Sequence, residues 1–262
     1  MLTPEEQWFF DHHGFIHLRE VVPPEDIARM IELADAWHDM ALEELPPPLT
    51  STSRSGQHSP TIAHWINHVQ YGDPTFQRLA LNRDIMRVII ALTRETPCLV
   101  DCALTKNYST SDDIAFHAAG KDYGIADGCP RAGFLNAGVS LVDVPAGTGF
   151  VCLPGSHKRN FEPPTISIYD GPPTVINVPV GAGDAVIFTE ALLHGARRWT
   201  LDTPRYTVFN RYIDEGSHGA LPIESHRHQI PDELYELEQP AGRGQQKRVV
   251  KRIIDDLTTR TA

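Results

Sequence analysis

Gly181-Ala182-Gly183-Asp184-Ala185-Val186-Ile187-Phe188 reads as a tight turn followed at once by an apolar strand. Small residues and an aspartate make the turn, and β-branched and aromatic side chains fill the run after it. The pattern recurs upstream, where Pro145-Ala146-Gly147-Thr148-Gly149 precedes Phe150-Val151-Cys152-Leu153, and Pro154-Gly155-Ser156 and Gly171-Pro172-Pro173 add further breaks. Strands are also expected at Cys98 to Leu104, Ile114 to His117, Leu135 to Val142, Thr174 to Val178 and Tyr206 to Tyr212. No helical pattern separates them, which argues against a parallel α/β sheet. Seven or eight short strands in this region predict a sandwich or jelly roll over about residues 96–214.

Outward from that core the period changes. Residues 4–13 predict a short helix with Thr3 as N-cap, Pro4 at its first position and Gly14 at its end. Gly14-Phe15-Ile16-His17-Leu18 reads as a strand. Residues 24–44 predict a long helix whose apolar face carries Ile27, Met30, Ile31, Leu33, Ala34 and Trp37, with His38 at the surface or satisfied locally. Residues 45–62 open on Leu45-Pro46-Pro47-Pro48 and turn small and polar, as a loop or lid does. His64, Trp65, His68 and Tyr71 then border a pocket or serve packing. Helices at 74–81 and 83–94 complete a helical first part, about residues 1–95. After Asp214 the strand pattern ends. The extension 215–262 holds a helical turn at 231–238 and a basic, apolar helix at 245–257, either solvated along one face or a homodimer contact. With no internal repeat, residues 1–262 are expected to form one domain.

The net charge is −11, from 23 basic and 34 acidic residues, which excludes the basic face of a nucleic-acid-polymer binder. No apolar run reaches the ~20 residues that span a bilayer. Met1-Leu2-Thr3-Pro4-Glu5-Glu6 lacks the basic and apolar regions of a signal peptide, so a cytoplasmic location is expected. Cys98, Cys102, Cys129 and Cys152 match no zinc spacing and are expected to be buried free thiols.

Chemistry concentrates in three places. Phe116-His117-Ala118-Ala119-Gly120-Lys121 ends one strand, Leu192-Leu193-His194-Gly195 follows another, and Arg205 opens a third after Thr203-Pro204. His117 and His194 can meet only through the fold. In the mouth of a jelly roll, imidazole and carboxylate ligands hold iron with positions left open for a cosubstrate and O2. The planar fork of Arg205 suits a carboxylate cosubstrate.

With Phe150-Val151-Cys152-Leu153-Pro154-Gly155-Ser156-His157-Lys158 and Gly183 to Phe188, these residues resemble the phytanoyl-CoA dioxygenase-like family of Fe(II)/2-oxoglutarate oxygenases. The likeness runs from Gly14 to about Tyr212. It implies a double-stranded β-helix, cupin-like core, His117 and His194 as iron ligands, and Arg205 with Asn107 or Lys106 on 2-oxoglutarate. His157 and the Gly-Asp segment are implied as turn elements. The family usually has His-x-Asp or His-x-Glu, whereas this chain has Ala119. Side chains alternate along an extended segment, so residue 119 points with 117 while Asp122, at an odd offset, must fold back to reach the same place.

Charge gives a role to the absence. Fe²⁺ with dianionic 2-oxoglutarate is neutral, and one chloride at the Ala119 vacancy restores the charge that a carboxylate would bring. In having Ala there, the chain is similar to non-haem iron halogenases. Of these it looks most like the freestanding type acting on deoxyadenine nucleotides in nucleoside-antibiotic biosynthesis, with no carrier-protein docking patch. The implied small-molecule substrate would meet cations from Lys121, Arg197, Arg198 or Arg211 and aromatic rings from Phe134, Trp199 or Trp65. Two other classes stand beside this one: a hydroxylase completed by water or Asp122, and a catalytically silent jelly-roll binding protein.

Overall fold

The computed structural model describes residues 1–53, 64–214, 223–240 and 246–259. Helix α1 (Pro4–His13) starts on a capping box. The Thr3 hydroxyl accepts from the Glu6 amide, and the Glu6 carboxylate accepts from the Thr3 amide. Gly14 ends the helix in the left-handed region, and its N–H donates to the Phe10 carbonyl. Strand β1 (Phe15–Leu18) and helix α2 (Pro24–Asp39) follow. Then come β2 (Thr50–Ser53), β3 (His64–Asn67), α3 (Pro74–Ala80) and α4 (Arg83–Leu92), the last two capped by Asp73 and Asn82. The strand-rich part holds β4 (Pro97–Asn107), β5 (Ile114–His117), β6 (Tyr123–Ala126), β7 (Cys129–Ala132), β8 (Phe134–Ser140), β9 (Gly149–Leu153), β10 (Ile176–Asn177), β11 (Ala185–Thr189), β12 (Leu193–Arg197) and β13 (Arg205–Asp214). Helices α5 (Asp232–Glu238) and α6 (Arg248–Thr259) close the described chain.

The strands form a seven-stranded sheet, order β1-β11-β8-β13-β4-β3-β2, and a four-stranded sheet, order β10-β9-β12-β5, with β6 and β7 as a separate hairpin. The named pairings are antiparallel, as a jelly roll requires. Period-two alternation along β13 gives the large sheet its two faces. Tyr206, Val208 and Tyr212 join the main core with Met30, Trp37, Phe76 and Ile89 of the helices. Arg205, Thr207, Phe209 and Arg211 point the other way, into a cavity between the sheets. A smaller cluster of Phe15, Cys152, Val178, Val186, Phe188 and Leu192 fills the rest of that gap. The fold is therefore mainly β, a jelly-roll core with helices against one sheet.

Several boundaries differ from the sequence expectation. Helix α2 stops at Asp39, because Met40 is extended, and only a short 3-10 turn follows at Leu42–Glu44. The small polar run expected as a loop includes β2, which sits at the edge of the large sheet where polar side chains are tolerated. The rest of the suggested lid, residues 54–62, lies outside the described residues. The strand expected over 174–178 shortens to Ile176–Asn177, while His194 lies within a strand rather than after one. The β6–β7 hairpin was not anticipated, although Asp127-Gly128 at its tip is a strong hairpin signal. Cys98, Cys102 and Cys152 are buried free thiols, but Cys129 is exposed on the hairpin. No described helix is long and apolar enough to cross a membrane.

Candidate functional site

Strands β5 and β12 place His117 directly opposite His194. The two rings lie 4.3 Å apart, centroid to centroid. That closeness depends on Gly195, since a Cβ there would stand 2.3 Å from the Ile114 carbonyl oxygen. Each ring engages a carbonyl two residues earlier through Nδ1, His117 to Ala115 at 3.0 Å and His194 to Leu192 at 2.8 Å. Nδ1–H therefore donates and Nε2 is left with its lone pair, the tautomer and orientation a metal-binding histidine uses. Burial holds the His194 pKa below its ordinary value, and His117 adds to this while Glu190 and the Leu192 carbonyl oppose it. The neutral imidazole is the form that binds metal.

Ala119 lines the same cavity with its methyl group, and its amide donates to the Glu190 carbonyl at 2.8 Å. Asp122 does not turn back toward the histidines. Its carboxylate accepts from Arg131 Nη1 at 2.7 Å and packs over Gly133, where a Cβ would collide with it. Among the described residues, no three His, Cys, Asp or Glu side chains are arranged to hold a metal ion. The protein thus offers two imidazoles and no carboxylate at position 119.

Arg205 opens β13 opposite Asn107 of β4. Its Nη2 donates to Asn107 Oδ1 at 3.2 Å, and its buried Nε has no partner among the described residues. Burial pushes its pKa down to about 10. A buried guanidinium with a neutral amide and no paired carboxylate is a costly arrangement that an anionic ligand relieves. This side of the site fits the carboxylate of 2-oxoglutarate, as the free Nε2 atoms fit iron.

The cavity between these groups holds about 400 Å³. Of the residues expected to bind metal, 2-oxoglutarate, chloride or substrate, Trp65, Asn107, His117, Ala119, Phe134, His194, Arg205 and Arg211 line it. Five do not. Lys106 neighbours Asn107 on a strand, so it faces the opposite side and pairs with Asp35 at 2.7 Å. Lys121 pairs with Glu162 at the surface. The Arg197 Nε donates to the Ile168 carbonyl at 2.7 Å, and its guanidinium lies over Tyr169. Arg198 is exposed near Asp112. Trp199 is buried, its indole N–H donating to the Thr203 carbonyl. Sequence reasoning missed Asn136 and Glu190, both of which line the cavity. A signal existed, for Glu190 is the sole charged residue between Asp184 and His194.

His157, expected as a turn element, is buried, with Nε2–H donating to the Asp11 carbonyl at 3.0 Å. Asp184 likewise accepts from the Glu20 and Gly181 amides and from His17, pinning the turn before β11.

The family profile described as Phytanoyl-CoA dioxygenase (PhyH) matches residues 10–206. No curated protein matches the chain. Among solved structures, HygX from Streptomyces hygroscopicus with nickel, 2-oxoglutarate and hygromycin B bound is 20% identical, with a TM-score of 0.67 over 85% of this chain and 94% of that one. The non-heme alpha ketoglutarate dependent epimerase SnoN from nogalamycin biosynthesis is 19% identical, with a TM-score of 0.60 over 91% of each chain. EctD from S. alaskensis is 18% identical, with a TM-score of 0.65 over 84% of this chain and 80% of that one. At such identities the likeness is one of fold.

Proposed function

The chain belongs to the phytanoyl-CoA dioxygenase (PhyH) family, and from that premise we propose an iron- and 2-oxoglutarate-dependent halogenase that chlorinates an unactivated C–H of a freestanding small molecule. The observation that carries this reading is Ala119, a methyl on the cavity wall beside His117 and His194, with Asp122 held away by Arg131. His117 and His194 would hold the metal through Nε2, and Arg205 with Asn107 would hold the far carboxylate of 2-oxoglutarate. When bound with O2 and chloride, iron and 2-oxoglutarate supply the oxidising power to break a C–H bond and the halogen to replace the hydrogen. The protein's part is to orient the two imidazoles through their Nδ1 contacts, to leave room at residue 119 for chloride, and to aim the substrate.

A deoxyadenine nucleotide is the substrate we favour. Trp65 and Phe209 stand 4.9 Å apart on the cavity wall, and the Arg211 guanidinium lies 5.4 Å from the Trp65 ring. That surface suits a planar base. Hygromycin B bound to the structurally similar HygX supports a small-molecule ligand in general. The presence of Glu190 in the same cavity favours one alternative, a hydroxylase of the same family whose metal site takes its carboxylate from elsewhere in the chain.

Incubation with iron, 2-oxoglutarate, oxygen and chloride, followed by mass spectrometry of a nucleotide panel, tests the proposal. A product with the chlorine isotope pattern that vanishes when chloride is withheld is expected. Hydroxylated product alone in ample chloride would remove the halogenase reading.

A further inference from the structure

Glu190 is a buried carboxylate with more acceptor capacity than the described residues satisfy. Its backbone is fixed at both ends, the N–H donating to the Phe134 carbonyl at 3.0 Å and the carbonyl accepting from Ala119 at 2.8 Å. Its Oε1 accepts from Asn136 Nδ2 at 2.8 Å. A carboxylate only accepts, so the Asn136 amide must present its NH2 to Glu190, which leaves Asn136 Oδ1 buried without a donor. Glu190 Oε2 receives no hydrogen bond among the described residues. Among the described residues the basic group nearest to it is His194 Nε2 at 3.9 Å, too long for a hydrogen bond. With a metal on that nitrogen, His194 has no proton to offer. Among the described residues the pair therefore lacks at least one donor where the cavity meets the two histidines.

Asn136 Oδ1 is a buried unpaired acceptor and Glu190 lines the cavity with Oε2 unpaired; acceptors so placed are normally satisfied by a ligand or water. We infer that Glu190, braced by Asn136, is a substrate anchor: it accepts a hydrogen bond from a hydroxyl or amino group next to the carbon that reacts. A donor on Oε2 sits about 3 Å from it, beside the His194 ring, so the carbon bearing that donor is held at the histidine end of the cavity. Trp65, Phe209 and Arg211 are left to hold the remainder of the molecule. The substrate class is then a small molecule with a planar part and an alcohol or amine flanking the modified carbon. This rests on the reading of His117 and His194 as the metal end, and it does not depend on which planar group is present.

Matched fragments test it. The protein is loaded with zinc, which is redox-inert, and with 2-oxoglutarate. Binding of tetrahydrofuran, 3-hydroxytetrahydrofuran and 3-aminotetrahydrofuran is then followed by ligand-observed NMR. The hydroxyl and amino forms are expected to bind roughly tenfold more tightly than the parent ring, a gain typical of a hydrogen bond to a charged acceptor. Glu190→Met should erase the difference and Glu190→Gln should shrink it, with zinc still bound in both and its affinity lowered only by the loss of a nearby charge. Equal binding of the three fragments, no binding of any, or discrimination that survives Glu190→Met overturns the anchor. Zinc affinity lost in Glu190→Gln also overturns it, because Glu190 would then be a metal ligand. Zinc affinity unchanged in His117→Ala removes the metal reading instead, while the fragments still judge Glu190. Deoxyadenosine monophosphate in the same titration separates the substrate proposal: its failure to bind beside intact fragment discrimination removes the nucleotide and leaves the anchor.

Discussion

Residue 119 is where a one-side-chain change is expected to alter the chemistry and spare the fold. The Ala119 amide is tied to the Glu190 carbonyl whatever the side chain is, so a substitution inherits the same backbone position. Ala119→Asp should abolish chlorination, read as loss of the chlorine isotope pattern, because the new carboxylate fills the halide position. Chlorination that survives would contradict the geometry. Arg205→Ala should weaken 2-oxoglutarate binding by roughly ten- to a hundredfold in a calorimetric titration, since a buried carboxylate loses its charged hydrogen-bond partner. An unchanged affinity would move the clamp to another residue. At this scale the sequence was most informative where chemistry restricts residue type. His117, His194 and Arg205 stand out because few side chains bind iron or clamp a carboxylate. Glu190 did not, because its meaning depends on Asn136, 54 residues away in the chain. Between Lys106 and Asn107 only the strand's facing could decide, and a one-residue shift in that facing reverses the answer.

At the scale of the element, the β5–β12 pair is the support of the whole site. Gly195 lets the strands approach until the two rings meet, so Gly195→Ala should force them apart at the Ile114 carbonyl. The expected outcome is zinc affinity reduced at least tenfold and stability lowered by about 1–3 kcal/mol in urea unfolding. Wild-type zinc binding in that variant would show that the approach is not required. This pairing was only partly legible. Ile114 to His117 shows the expected strand composition, whereas Leu193-His194-Gly195-Ala196-Arg197 is short, contains a glycine and gives no clean alternation. It becomes a strand because β9 and β5 flank it on both sides, a tertiary effect that local propensity does not carry. The opposite holds for α1, where capping box, proline and glycine are all local and set its bounds at Pro4 and His13.

For the molecule as a whole, two distant segments meet at His157. The turn after β9 binds α1 there, the ring donating to the Asp11 carbonyl while Lys158 and Tyr123 reach the Asp11 carboxylate. Burial pushes the His157 pKa down to about 4, from an ordinary 6.5. A neutral histidine in the fold that charges on unfolding stabilises above pH 6.5, and the stabilisation is lost as pH falls toward 4. Roughly 2 kcal/mol should disappear between pH 7 and pH 5 on this account. His157→Gln should flatten that part of a stability-against-pH curve from urea unfolding. An identical slope in the variant would assign the loss to other groups. The general architecture was legible from turn and strand alternation. How the C-terminal extension packs was not, since Glu238 reaches Gln70 and Tyr71 across most of the chain.

The two histidines belong to the smaller sheet and Arg205 to the larger one. On the proposed reading, 2-oxoglutarate held at the metal and at Arg205 is therefore a rivet between layers that also meet through the Phe15–Phe188 cluster. Loading should then suppress breathing of the sandwich, because a ligand that binds only the closed arrangement stabilises it by mass action. Amide hydrogen exchange should slow in β5 and β12 when metal and 2-oxoglutarate are both present, and less with metal alone. In that sense the reactants would add a fastening between the two sheets that the chain does not itself supply at the site.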